Sequence, residues 1–215
     1  MDLSLYAGFL AAALLLTIAP GPDLLFVTAQ SVSYGFKAGM ATALGLCSGL
    51  LVHISAASFG VSAILYKSGV AFQVVKAAGA CYLLYLAWQA LREGRKKNGS
   101  EESGPEVPRL KPAALFRRGI LMNVLNPKVA LFFLALLPQF VVPNGSSPAW
   151  QMTILGMIFL IQALVVFAIV SWLAGTMGQA LKSKSGQASL IISKLKAGLF
   201  AFLGLRLLFT GKEPI

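Results

Sequence analysis

Two short stretches of this 215-residue chain combine helix-breaking residues with a charge inside otherwise apolar sequence. One is Ala19-Pro20-Gly21-Pro22-Asp23, and the other is Leu125-Asn126-Pro127-Lys128. Proline has no amide hydrogen, so it fits the first position of a helix, where that hydrogen would be unbonded anyway. With Pro22 and Pro127 in that position, Gly21 and Asn126 become N-caps, a place both residue types accept. Asp23 and Lys128 then hold equivalent positions, one residue further in. Each stretch predicts a helix that stops and restarts.

A restarted helix frees backbone groups. Its new N–H groups and positive dipole end suit a carboxylate. The carbonyls of the preceding segment, around Thr17 to Ala19, suit an ammonium group. A site with both poles fits a small zwitterionic amino acid better than a sugar or a metal ion. Asp23 is favoured by the dipole at its position and Lys128 is opposed by it, so Lys128 needs an anion nearby. Asp23 is the expected partner. A charge at mid-bilayer costs roughly 2.5–3.5 kcal/mol or more, so such residues pair or line a cavity. One break alone would read as an interfacial cap or an ordinary kink. Two breaks with matched cap, proline and charge favour a binding site made of Gly21, Pro22, Asp23, Asn126, Pro127 and Lys128.

Further polar residues fall in the same apolar context. His53, the single histidine, has a side chain suited to proton coupling or to bonding a neighbouring helix. Thr17, Asn123 and Gln139 flank the breaks as candidates for a path. Gln30 and Gln162 fit the hydrogen bonds that polar side chains make between membrane helices. Gly45 and Gly49, with Gly39 before them, allow close helix contact, either inside one chain or between two.

The elements that must position these residues follow from composition. The chain is 57% hydrophobic and 12% charged, whereas soluble domains carry about a quarter charged residues. The bilayer is the implied solvent. Apolar runs long enough to cross it, about 20 residues each, occur near 3–33, 38–66, 70–91, 115–140, 149–173 and 190–210. No alternation over ten-residue strands indicates a barrel. The predicted fold class is an all-α membrane protein with six transmembrane helices, the first and fourth broken. The start of the chain has no basic region before its apolar run and reads as a first span rather than a cleaved signal.

Residues 92–114 form a polar, basic linker between two halves, 1–91 and 115–215, of three spans each. Three is odd, so the halves face opposite ways, giving a 3+3 inverted repeat if they are related. Thirteen Lys and Arg residues lie on the linker side and four on the other, with Lys128 in a span. Cytoplasmic loops collect these residues. The linker is thus expected in the cytoplasm and the termini in the periplasm, with the chain multi-pass in a bacterial inner membrane.

The net charge of +11 comes with no nucleic-acid-reading motif, and nucleic acid is not an expected partner. Cys47 and Cys81 form no CxxC and no metal spacing. A membrane thiol relay would want cysteines at equivalent places in both halves, and both lie in the first. A divalent-metal exporter would want several carboxylates or histidines, so no metal site is assigned. No cofactor or enzyme motif is evident.

The chain resembles the LysE/RhtB family of bacterial amino-acid exporters. The residues that carry this are Pro20-Gly21-Pro22-Asp23, Phe36-Lys37-Ala38-Gly39 through Gly45 and Gly49 to His53, and Lys76-Ala77-Ala78-Gly79-Ala80-Cys81-Tyr82-Leu83. Asn126-Pro127-Lys128, Phe132-Phe133 and Leu137-Pro138-Gln139-Phe140 complete the set. Order and spacing hold over nearly the whole chain, least in the linker and the last span. The resemblance implies a six-helix inverted repeat, export of threonine-, homoserine- or leucine-like compounds by proton exchange, and a homodimer.

Overall fold

A computed structural model describes residues 3–19, 21–61, 109–142 and 145–177, together with 70, 73, 74, 77, 80, 81, 84, 85 and 88. Among the described residues there is no strand, and the regular elements are all helical. The expected span 190–210, most of the linker and Pro20 lie outside the described residues; within 70–91 the described residues are helical.

Two helix pairs are bent at the predicted prolines. Helix α1 (Leu3–Ile18) and helix α2 (Pro22–Tyr34) meet at 56°. Helix α4 (Pro112–Val124) and the segment from Pro127 to Phe140 meet at 48°. Gly21 and Asn126 are the N-caps, both in extended backbone, with proline at the helix start. Helix α4 begins three residues before the expected span, because Pro112 follows an extended Lys111 and starts a helix in the same way.

After the second break the chain departs from the regular helix expected there. Helix α5 (Pro127–Leu131) opens into a π-helical turn over Phe132–Leu136 and then tightens to a 3-10 turn over Leu137–Phe140. Pro138 explains the change, since it lacks the amide that a regular helix would direct at the Leu134 carbonyl.

Helix α3 (Phe36–Ser55, continued by a π-helical turn over Ala56–Val61) and helix α6 (Pro148–Met177) are unbroken, and each is long and apolar enough to cross a membrane. Together with the two bent pairs, if each is one span, that makes four among the described residues.

Helix α3 packs most extensively on α4, and glycines make the approach possible. A Cβ on Gly45 would run into the Phe116 carbonyl, and one on Gly119 would lie 2.6 Å from the Thr42 carbonyl oxygen. A Cβ on Gly49 would lie 2.8 Å from that of Asn123. The Gly45/Gly49 face is therefore spent on contact inside this chain. Beside it, Phe9, Phe132, Phe133, Phe140 and Phe159 form a continuous aromatic cluster with centroids 5.0–6.2 Å apart.

Helix α6 carries its own depth scale. Its 30 residues extend about 45 Å at 1.5 Å per residue. Trp150 and Trp172, both exposed, are separated by about 33 Å on that rise. This is close to the ~30 Å hydrocarbon thickness that interfacial tryptophans bracket. Ile161, Phe159 and Ala163 fall midway between them.

Candidate functional site

The two breaks face one cavity. It has a free volume of about 30 Å³ and is lined by residues from the first break (Thr17, Ala19, Gly21, Asp23, Leu24) and from the second (Asn123, Asn126, Lys128, Val129). Leu16 and Leu50, with Phe159, Ala163 and Phe167 of α6, close it with apolar surface. That volume suits a water or two; an amino acid would need the walls to part.

The polar groups brace the breaks against each other. Lys128 donates from Nζ to the Ala19 carbonyl at 2.9 Å, across 109 residues of sequence. Its side chain lies over Gly21, where a Cβ would sit 3.5 Å from Nζ. Asn123 donates from Nδ2 to Asp23 Oδ2 at 3.3 Å. Asp23 Oδ1 and Asn123 Oδ1 are buried with no hydrogen-bond partner among the described residues. The ammonium pole foreseen at Thr17 to Ala19 is thus met by the protein's own ammonium, and the Asn123 amide supplies a hydrogen bond to Asp23 beside it.

The two restarts are capped differently. The Asn126 side chain accepts the Lys128 amide at 3.0 Å. Gly21 has no side chain, so no cap reaches the equivalent amide of Asp23. The N-terminal amides of α2 therefore stay available beside the cavity, while those of α5 are partly satisfied.

His53 does not line the cavity. Its Nε2 meets the Asn123 backbone carbonyl at 3.0 Å, and its ring stacks on Phe133 with centroids 5.9 Å apart. An acceptor carbonyl there requires the proton on Nε2. His53 thereby anchors the residue whose side chain holds Asp23. Thr17 and Asn123 line the cavity. Gln139 is not among the lining residues; it donates to Ala135 of its own segment at 3.2 Å. Pro22 and Pro127 shape the breaks without lining the cavity. Gln162 ties α6 to α1 by donating to Thr17 Oγ1 at 2.8 Å.

Sequence reasoning missed the apolar wall. Phe159, Ala163 and Phe167 recur every fourth residue and so share one stripe of α6. In a helix apolar on all sides, that stripe carries no contrast to reveal it.

The chain is similar to known proteins over nearly its whole length. Residues 14–211 match the family described as LysE type translocator. An uncharacterized membrane protein of Vibrio cholerae is 31% identical over 99% of this chain and 100% of its own. A homoserine/homoserine lactone efflux protein of Salmonella typhimurium is 29% identical over 95% of this chain and 96% of its own. Its Salmonella typhi counterpart is 28% identical over the same shares. No solved structure matches. With nearly its whole length matched, two apolar spanning helices and two bent helix pairs around a charged cavity, the chain belongs to the LysE type translocator family.

Proposed function

We propose that this protein exports small amino acids of the threonine, homoserine and leucine kind from the cytoplasm, in exchange for protons. In this reading each bent pair is one broken span, and six spans form a 3+3 inverted repeat in a bacterial inner membrane. The linker is cytoplasmic and the termini periplasmic. The observation that carries the proposal is the convergence of Asp23, Lys128 and the Ala19 carbonyl on one cavity, level with the middle of α6. The efflux of homoserine named for the Salmonella relatives supports the substrate class.

The chemistry is an exchange of partners. The substrate ammonium takes Asp23 Oδ1 and the Ala19 carbonyl. Lys128 turns from that carbonyl to the substrate carboxylate, which also receives the uncapped amides of α2. The ammonium thus replaces Lys128 on one acceptor while the carboxylate gives Lys128 another, so no charge is left unpaired at depth. Leu16, Leu50, Ala163 and Phe167 receive an uncharged side chain. A proton on Asp23 removes the anion that the substrate ammonium needs, and so makes proton and substrate alternatives at one place. His53, through Asn123, positions that carboxylate.

The test is efflux from cells expressing Asp23→Asn or Lys128→Ala at wild-type abundance. Each is expected to export at least about tenfold more slowly, equivalent to roughly 1.4 kcal/mol of lost interaction. Wild-type export by both variants would remove the proposal.

A further inference from the structure

Beyond the cavity, the faces of α2, α3 and α6 that line it continue together toward the Lys37 end. On α6 the stripe Phe159, Ala163, Phe167 reaches Ser171 one turn later. On α2 the buried face carries Asp23, Val27, Gln30 and Ser31. On α3 it runs from Leu50 back through Leu46 and Thr42 to Gly39, all buried. The three stripes meet at one point. A Cβ on Gly39 would collide with Ser31 Oγ and would lie 2.6 Å from Ser171 Oγ.

In that seam Ser31 and Thr42 bond carbonyls of their own helices, while two other polar side chains are left unsatisfied. Gln30 is fully buried, and neither its Nε2 nor its Oε1 has a hydrogen-bond partner among the described residues. Ser171 is likewise fully buried with an unpartnered Oγ. Buried amides and hydroxyls are normally paired. A primary amide offers two donors and an acceptor that accepts twice, so Gln30 can serve an ammonium, a carboxylate or their hydration water. Its place fits a passage, since it lies seven residues, about 10 Å of rise, beyond Asp23 on the same face. Ser171 lies next to Trp172, at the level where α6 leaves the hydrocarbon. On the opposite side lie the phenylalanine cluster and the polar groups of Ser58, Thr153, Gln151 and Gln139, which are hydrogen-bonded within the protein itself.

We infer that the cytoplasmic route to the cavity runs along the α2–α3–α6 seam, gated where Ser31 and Ser171 close over Gly39, with the Gln30 amide as a binding station for a hydrated zwitterion between gate and cavity. The inference rests on the export reading for the identity of the passenger. The route itself is tested without any passenger.

Single cysteines at Gln30, Ser171 and Ile169 are placed in a Cys47→Ser, Cys81→Ser background. Each is exposed to a membrane-impermeant methanethiosulfonate ammonium reagent in inside-out and right-side-out vesicles. Gln30→Cys and Ser171→Cys are expected to react from the inside-out face at least tenfold faster than Ile169→Cys, which lies on the exposed face of α6. Neither should react from the other face. No reaction at Gln30→Cys and Ser171→Cys, or reaction only in right-side-out vesicles, overturns the route. Gln30→Met keeps the volume and removes the amide. It is expected to reach wild-type abundance and to export at least fivefold more slowly; wild-type export overturns the station. Inside-out labelling that persists while no amino acid is exported supports the route and places the failure in the substrate reading.

Discussion

The two cap residues, Gly21 and Asn126, separate the two poles of the cavity. Asn126 spends its side chain on the Lys128 amide, while Gly21 leaves the matching amide of Asp23 uncapped. Gly21 has φ −150° and ψ −179°, an extended backbone that any residue adopts, so conformation does not require glycine there. An asparagine at this position is expected to cap α2 and hold its stability at wild type or a few tenths of a kcal/mol above. It should also withdraw the amide from the substrate carboxylate. Gly21→Asn is therefore predicted to keep or raise the unfolding temperature in detergent while lowering export several-fold. Wild-type transport by this variant would show that the amides of α2 take no part. Cap, proline and charge at each break were legible in sequence because each acts on its immediate neighbours. The Lys128–Ala19 bond was not foreseen: the sequence pointed Lys128 to an anion, Asp23, and gave the carbonyls around Ala19 to the ammonium group of a substrate. That bond depends on a fold that joins residues 109 apart.

Among the elements, α3 and α4 bear the closest contact, and it sets where Asn123 can stand. Gly119 lies one turn before Asn123 on α4, and its missing side chain admits the α3 backbone at Thr42. Gly119→Val must push the helices apart, at about 1–3 kcal/mol for overpacking of this kind. It would also carry Asn123 away from Asp23. The expected result is a lower unfolding temperature and reduced folded yield in detergent, with Gly119→Ala intermediate. Close helix contact could be anticipated from the Gly45/Gly49 spacing, but its partner could not, since small residues fit a neighbouring helix of any origin. The π and 3-10 turns after Pro127 were missed for a different reason. Pro138 signals a disturbance, but the way a chain absorbs it depends on packing, here the fit of Phe132 and Phe133 against Phe159.

At the scale of the whole molecule, orientation rests on the basic residues. In the proposed topology thirteen of the 18 Lys and Arg residues would lie on the linker side. A protease site inserted at Gly99 is predicted to be cut in inside-out vesicles and protected in right-side-out ones. The reverse pattern would invert the topology and with it the sense of the gate. Composition alone was enough to assign the bilayer as solvent, because no soluble fold hides so much apolar surface. Depth within the bilayer was not assigned, because it requires knowing which tryptophans reach the surface.

Trp150 and Trp172 add a mechanical consequence. Exposed indoles about 33 Å apart along the helix would, once moored at the two headgroup layers, make α6 a strut whose tilt follows bilayer thickness. The same strut presents Phe159, Ala163 and Phe167 to the cavity and Ser171 to the seam. A thinner or thicker membrane would thus lean on both at once, and lipid chain length becomes a tuning parameter for the carrier.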